Sequence, residues 1–403
     1  AVLTFKNCVL DSGQVEGTWN SYDITLWNVN NVVLENVVAN KSLALDGSNV
    51  TLKNVTINEL ANDYYALWIT ATCASVKMEN CNINTIGRAI KISDQYVDSA
   101  DRKAVALEIN GGKFVSNSKP AIYVGNTAGA NVTVKNLDIT GVKTGVMISR
   151  DTDAAYKDAP IYYNGNLLDA KVNVNGKGYA SLKEAVADAA AGSTITIEKN
   201  TTCADQISDV KDITLEGAED GSSVLDISAY DPYRWSGVTV KNMTLELGNS
   251  NFHGFKHAEE IKFVNCTFNG RITGYGTHEV YENCTFNNKG DYNMWTYGAS
   301  MDIINCTFNN AGLGINVYSQ DSSGRDLVIN VTDSKFISTG ELREAEKGAI
   351  YIKLDHAMKV NIKNCTVEGE YGDLNNGLWS VKPDQGYNEK VYVTVDGVEV
   401  YHK

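Results

Sequence analysis

Glu279-Val280-Tyr281-Glu282-Asn283-Cys284-Thr285-Phe286-Asn287 is the stretch that decides how this chain reads. It is a short alternating strand, an Asn, a small apolar residue and a second short alternating strand. The phrase returns closely at residues 261–269 and 301–309, and more loosely at 3–10, 33–39, 50–58, 76–84, 132–140, 238–245 and 360–369, ten copies in all. Within the densest run, Asn242, Asn265, Asn283 and Asn305 follow one another at intervals of 23, 18 and 22 residues. A fixed phrase recurring on that scale is the signature of a solenoid. Period-2 alternation of β-branched and aromatic residues makes each half of the phrase a strand with one buried face. Asn sits where the strand changes direction, because it tolerates left-handed backbone angles and its side chain bonds neighbouring backbone.

If each phrase forms one rung, the Asn residues stack into a ladder and the small residues after them stack inward. In these features the chain resembles the right-handed parallel β-helix of the pectin-lyase-like superfamily, and the likeness runs over nearly the whole length. The fold expected is therefore all-β: a right-handed parallel β-helix solenoid in two tandem modules. The resemblance implies a polysaccharide groove along one sheet. It also implies, for lyases, an Arg or Lys base beside a calcium-binding acidic cluster, and for hydrolases, paired carboxylates.

Composition agrees with a packed solenoid: 43% of residues are hydrophobic, 21% are charged, and 34 Gly stand against 4 Pro. The formal net charge of −14 argues against nucleic acid and anionic membrane as partners and disfavours polyanionic substrates unless a cation bridges. No run approaches the length of a membrane span. Of the eight cysteines, Cys8, Cys81, Cys266, Cys284, Cys306 and Cys365 directly follow a ladder Asn. They are expected as buried free thiols acting as small hydrophobes. Cys73 and Cys203 lie outside the phrase and take no place from it. The Asn-x-Thr patterns at Asn54, Asn131, Asn242, Asn265, Asn283, Asn305 and Asn364 read mostly as ladder positions too tightly packed for a glycan.

The chain opens directly in a strand, without a signal-peptide pattern. Because a solenoid end exposes unpaired strand edges, a cap and further domains of a longer parent chain are expected before Ala1. The first module spans residues 1–170. At residues 174–179 the texture changes: Ser181 and Glu184 form a capping box, and Leu182, Ala185, Val186 and Ala189 make the apolar face of a helix expected over about 181–191, ended by Gly192. This opens a second module, 171–403, with 171–235 as its cap and first coils. The halves align at a nearly constant offset, Trp68 with Trp295 and Tyr123 with Tyr351 among others, as a tandem duplication would give.

Catalytic motifs do not emerge. The stretches 88–91 and 231–233 match only fragments of motifs found in polysaccharide enzymes. All five His (His253, His257, His278, His356, His402) fall in the second half, so an activity shared by both modules is not indicated. If one half is catalytic, His253 and His257 are its candidates. Acidic loops holding Asp94, Asp98 and Asp101, and Asp151, Asp153 and Asp158, with Asp321 and Asp326 in a counterpart, offer weak calcium positions; no cofactor is required. The paired aromatic loops, Tyr64, Tyr65 and Trp68 in one module and Tyr292, Trp295 and Tyr297 in the other, suit stacking on sugar faces.

These features lead to a secreted or cell-surface bacterial repeat protein, an adhesin, stalk or glycan-binding module whose partner is a polysaccharide or host glycan, without membrane insertion. The alternatives are a polysaccharide lyase or glycoside hydrolase acting in a groove on one sheet, and a tailspike-like trimer.

Overall fold

A computed structural model describes residues 2–11, 23–61, 63–288, 290–310, 312–319, 325–338, 347–353, 357–369, 371, 374–382 and 390–403. Ala1, Asp321 and His356 lie outside them. The chain divides into two compact units, Ala1–Asp169 and Ala170–Lys403.

In the first unit, Leu3–Leu10, Asn31–Ala39, Asn49–Lys53, Ser75–Thr85, Val105–Ser116 and Ala130–Lys135 are successive parallel neighbours in a ten-stranded sheet. A six-stranded parallel sheet takes the segments between them: Asp23–Leu26, Ser42–Leu45, Tyr65–Thr70, Arg88–Ser93, Ile122–Gly125 and Ile148–Arg150. The chain thus alternates between sheets and lays each strand beside its predecessor. The second unit repeats the scheme with two twelve-stranded sheets, parallel among the described strands except where Val172–Val174 pairs with Lys177–Tyr179 and with Thr194–Ile197, and where Val391–Val395 pairs with Val398–His402. This all-β arrangement of long parallel sheets is compatible with a parallel β-helix or similar solenoid. Among the described residues no helix is long and apolar enough to cross a membrane.

The repeated phrase folds as its pattern dictates. Asn283 and Cys284 separate the strands His278–Glu282 and Thr285–Asn288, and Asn283 has φ 54°. Asn7, Asn36, Asn54, Asn80, Asn136, Asn242, Asn265, Asn305 and Asn364 share that left-handed backbone. Their amides bond from strand to strand: Asn54 Nδ2 to Asn36 Oδ1 at 3.0 Å, Asn36 Nδ2 to Asn7 Oδ1 at 2.9 Å, and Asn305 Nδ2 to Asn283 Oδ1 at 2.7 Å. Apart from the half-buried Asn242 these residues are exposed, however, and the tight packing expected to exclude glycans is not what holds them. The alternation buries the residue after the Asn and leaves the turn itself at the sheet edge. A second ladder, from Asn309 to Asn287 to Asn269, runs along the following strands.

The left-handed angle makes Asn283 a sensitive position. Asn283→Ala puts an ordinary Cβ at φ 54°, which costs about 1–2 kcal/mol, and removes the acceptor for Asn305. Asn283→Gly relieves the backbone part, so urea unfolding of the full chain should rank wild type, then Gly, then Ala. Equal stability of the Gly and Ala variants would contradict this.

Inside the second unit, Phe268, Phe286, Phe308 and Phe336 form a column with ring centroids 4.8, 4.5 and 4.8 Å apart and planes within 13° of parallel. All eight cysteines are free thiols. Cys81, Cys266, Cys284 and Cys306 are buried as their position requires, while Cys8 and Cys365 are half-buried. Cys73 and Cys203, unplaced by sequence, also lie in the cores. Burial pushes Cys73 up to about 11 and Cys203 up to about 12, so both stay as inert thiols.

The helix is shorter than expected, Leu182–Asp188. Ser181 Oγ accepts from the Glu184 N–H, and Leu182, Ala185, Val186 and Ala189 pack on the core as their spacing requires. The helix ends at Asp188, where Ala189 turns extended with its N–H bonded to the Val186 carbonyl, and Lys177 and Tyr179 of the preceding hairpin bond the Asp188 side chain.

Candidate functional site

Parallel register stacks like-facing residues of successive strands into columns. In the six-stranded sheet of the first unit, Leu67 and Ile69 point to the core, while Tyr65, Trp68 and Ala44 form an apolar cluster separate from it. Register aligns Ala44, Trp68, Lys91 and Tyr123. Trp27, Tyr65 and Tyr96 meet the Trp68 ring at centroid distances of 5.6, 5.5 and 6.3 Å. Lys91 Nζ lies 5.1 Å from the same ring, and Arg88 lies 4.0 Å over Tyr123. Trp68 is only 7% exposed, while Tyr64 and Tyr96 are 53% and 81% exposed. Trp68 is therefore the floor of an aromatic platform whose accessible surface belongs to Tyr96 and Trp27.

The second unit repeats the theme. Register aligns Thr273, Trp295, Asn316, Tyr351 and Ser380. Trp295 stacks on Tyr318 at 5.9 Å, meets Tyr297 edge-on at 5.1 Å, and donates from Nε1 to the Tyr318 carbonyl at 2.8 Å. Tyr292 joins at 6.4 Å beneath Arg271, and Tyr297 continues to Tyr275 at 4.9 Å. Trp295 is 5% exposed; Tyr292, Tyr297 and Tyr275 are half-buried.

Compared with family models, curated proteins and solved structures, the chain matches none.

Of the six aromatics singled out from sequence, Tyr65 and Trp68 meet in the first unit and Tyr292, Trp295 and Tyr297 in the second, while Tyr64 is an exposed chain neighbour of Tyr65. Trp27, Tyr96 and Tyr275, which complete the platforms with Tyr318, come from connections that carry no periodicity, whereas Tyr318 lies in the strand Leu313–Ser319. Tyr96 has φ 64°, an angle no pattern of alternation announces.

The acidic candidates do not converge. Asp94 is buried and satisfied by Thr127 N–H and Oγ1 at 3.1 and 2.7 Å, by the Tyr156 hydroxyl at 3.1 Å and by Arg102 at 3.3 Å. Burial opposes its charge, yet these bonds and the Arg102 guanidinium hold the carboxyl below the usual carboxylate range. Asp98 and Asp101 are exposed in a turn, while Asp151 Oδ1 accepts from the Asp153 N–H at 3.0 Å and Asp153 Oδ1 from the Ala155 N–H at 3.2 Å. Among the described residues no group of three or more His, Cys, Asp or Glu is placed to hold a metal ion.

The histidines have separate settings. His278 Nε2 lies 3.0 Å from Asp302, His257 meets the Tyr233 ring at 5.1 Å, and His402 lies 3.6 Å from Glu399. Among the described histidines His253 alone is buried, against Asp231. The outer face of the ten-stranded sheet carries a shallow groove lined by Thr51, Lys77, Glu79, Glu108, Thr133 and Lys135. Its charges pair across strands, Lys53 with Glu79 at 3.6 Å and Lys77 with Glu108 at 4.0 Å, as a solvated face requires.

Proposed function

We propose that this chain is a secreted or cell-surface bacterial β-helix repeat protein of the pectin-lyase-like kind, acting as an adhesin or glycan-binding module. Its outer aromatic faces would hold a polysaccharide. The observation that carries the reading is the recurrence of one arrangement in both units: a Trp set in an outward column, flanked by tyrosines and by a cation over a ring. Core packing does not call for it, since Tyr65 and Trp68 form a cluster of their own. Aromatic faces with polar edges are the surfaces that sugars stack on. The matching positions of Trp68 and Trp295 also support duplication of one module.

The test separates binding from packing. Trp68 and Trp295 are unsuitable because they are buried. Tyr64 and Tyr96 are exposed, so replacing both by Ala should leave the unfolding midpoint unchanged. The same double variant should lower retention on polysaccharide-loaded native gels about tenfold, since stacking contributes roughly 0.5–1.5 kcal/mol per ring. Retention unchanged in the double variant would remove the platform from the binding surface.

A further inference from the structure

The residue after each ladder Asn points inward, and in the second unit three consecutive turns place a cysteine there. Register sets Val264 beside Glu282 and Thr267 beside Thr285, so Cys266, which lies between them, faces Cys284. In the same way Glu282 stands beside Ile304 and Thr285 beside Thr307, so Cys284 faces Cys306. Met243 precedes the three in this column, and Ser334 follows them and separates Cys365. Elsewhere the phrase leaves its cysteines single: Cys8 stands beside Val37 and Cys81 beside Gly112.

The three thiols repeat one orientation. Each donates to the carbonyl two residues before it and to a carbonyl of the preceding strand: Cys266 Sγ to Val264 and Val240, both at 3.4 Å, Cys284 Sγ to Glu282 at 3.3 Å and Phe263 at 3.7 Å, and Cys306 Sγ to Ile304 at 3.3 Å and Tyr281 at 3.5 Å. All three residues are 1% exposed. The Thr285 N–H bonds the Cys266 carbonyl and the Thr307 N–H the Cys284 carbonyl, each at 2.9 Å, which holds neighbouring turns at strand spacing. That spacing is about 4.8 Å, inside the range of about 4.4–6.8 Å between Cα atoms that a disulfide spans. Two turns make about 9.6 Å, which no disulfide bridges without backbone movement. Cys284 therefore reaches either neighbour, and Cys266 does not reach Cys306. The Cys266 thiol, with burial behind it, pushes Cys284 up to about 12, and the Cys284 thiol and burial push Cys306 up as well. Once the column is packed, neither is a nucleophile.

We propose that Cys284 is an oxidative modification site, the shared partner of two mutually exclusive disulfides, to Cys266 or to Cys306, made while the chain folds and then sealed in the core of the second unit. The structure shows the reduced form. The oxidant is a low-molecular-weight disulfide, the class that an oxidising extracellular setting supplies. Before the turns close, the thiolate of one cysteine attacks the small disulfide, and one half of it leaves. The thiolate of the neighbouring cysteine then attacks the protein sulfur of that mixed disulfide, and the second half leaves. Two cysteine thiols become one disulfide, the small disulfide becomes two thiols, and the two protons pass to them. Three sulfurs leave one thiol over, Cys306 or Cys266. The closed loop spans 18 or 22 residues, and closing it removes conformational freedom from the unfolded chain. Because each turn leans mainly on its neighbours, the bond ties together two turns that otherwise hold by packing and backbone bonds. The inference is independent of what the aromatic platforms bind.

The test refolds the full chain from urea in a buffer of oxidised and reduced glutathione, alkylates the remaining thiols in urea, and maps cross-links by mass spectrometry. The expected result is one disulfide per chain, Cys266–Cys284 or Cys284–Cys306, with Cys8, Cys81 and Cys365 alkylated. The bond should resist dithiothreitol in the folded chain and yield to it in urea. Cys266→Ala and Cys306→Ala should each keep one cross-link, whereas Cys284→Ala should lose it. If Cys284→Ala fails to fold, the double variant Cys266→Ala with Cys306→Ala leaves Cys284 without a neighbour and should lose it too. Three alkylated thiols after refolding, glutathione adducts without a cross-link, or a bond from Cys266 to Cys306 would each overturn the inference. So would a cross-link to Cys8, Cys81 or Cys365, one that survives removal of Cys284, or one that dithiothreitol reduces as readily in the folded chain as in urea.

Discussion

Phe286→Ala should destabilise the second unit by about 3–5 kcal/mol, the range for removing a buried aromatic. Phe286 is fully buried between Phe268 and Phe308, at 4.8 and 4.5 Å, with Tyr281 edge-on at 5.5 Å. The backbone bonds of the parallel sheets fix the spacing of successive strands, so the neighbours cannot close the gap. The cavity therefore stays open, which puts the cost at the upper end. Phe286→Leu retains most of the volume and should cost less than half as much. Urea unfolding of the full chain, followed by Trp fluorescence, checks both. A loss below about 1 kcal/mol for Phe286→Ala, well under that range, would mean that the column is not continuous. Because each turn of chain leans mainly on its neighbours, hydrogen exchange should rise first in Thr267–Thr273 and Thr307–Asn310, the strands on either side.

The second large effect concerns Glu279, which sits in the core at 2% exposure, in a column with Ile261, Met301 and Ile329. The Tyr281 hydroxyl donates to its Oε2 at 2.6 Å and the Gly276 N–H to its Oε1 at 2.9 Å. Burial pushes the carboxyl up to about 7 from an ordinary value of 4.5, and these two bonds only partly oppose it. The folded state therefore keeps a proton that the unfolded chain releases between pH 4.5 and 7. Stability is highest below that window, falls as pH rises through it, and is flat above. The difference is on the order of 3 kcal/mol. Glu279→Gln cannot ionise and keeps one acceptor. It should lose this pH dependence and exceed wild type in stability at pH 8 by about 1–3 kcal/mol, with no gain at pH 4.5. Parallel pH curves for wild type and Glu279→Gln would show that Glu279 does not titrate across the window.

Glu279 also marks where reading the sequence stopped. The phrase declared its strands, its Asn turns and the inward place of Cys284 because those follow from alternation and backbone angle. Alternation also puts Glu279 on the same face as Tyr281, but Val280 between them is apolar and obscures the phase. The ladder was legible, and its exposure was not, because a left-handed Asn says where the chain turns and nothing about what lies outside it. The Ser181 cap was legible, while the early end of the helix was not, because Ala189, Ala190 and Ala191 are strong helix formers by composition although Ala189 is extended. Trp68 and Trp295 stood out through their matching positions, but only packing makes them floors for Tyr96 and Tyr297. Asp231 and His253 were each visible alone. They meet because one turn of chain separates them, a distance that composition and motif spacing do not encode.

The most direct measurement of the central claim is hydroxyl-radical footprinting of the full chain, with and without a retained polysaccharide, read by mass spectrometry. Protection should fall on Trp27, Tyr64 and Tyr96 in the first unit and on Tyr292, Tyr297 and Tyr275 in the second, and the other outer faces should stay unchanged. Protection on the charged groove around Lys77 and Glu108, with the aromatic platforms left open, would contradict the account.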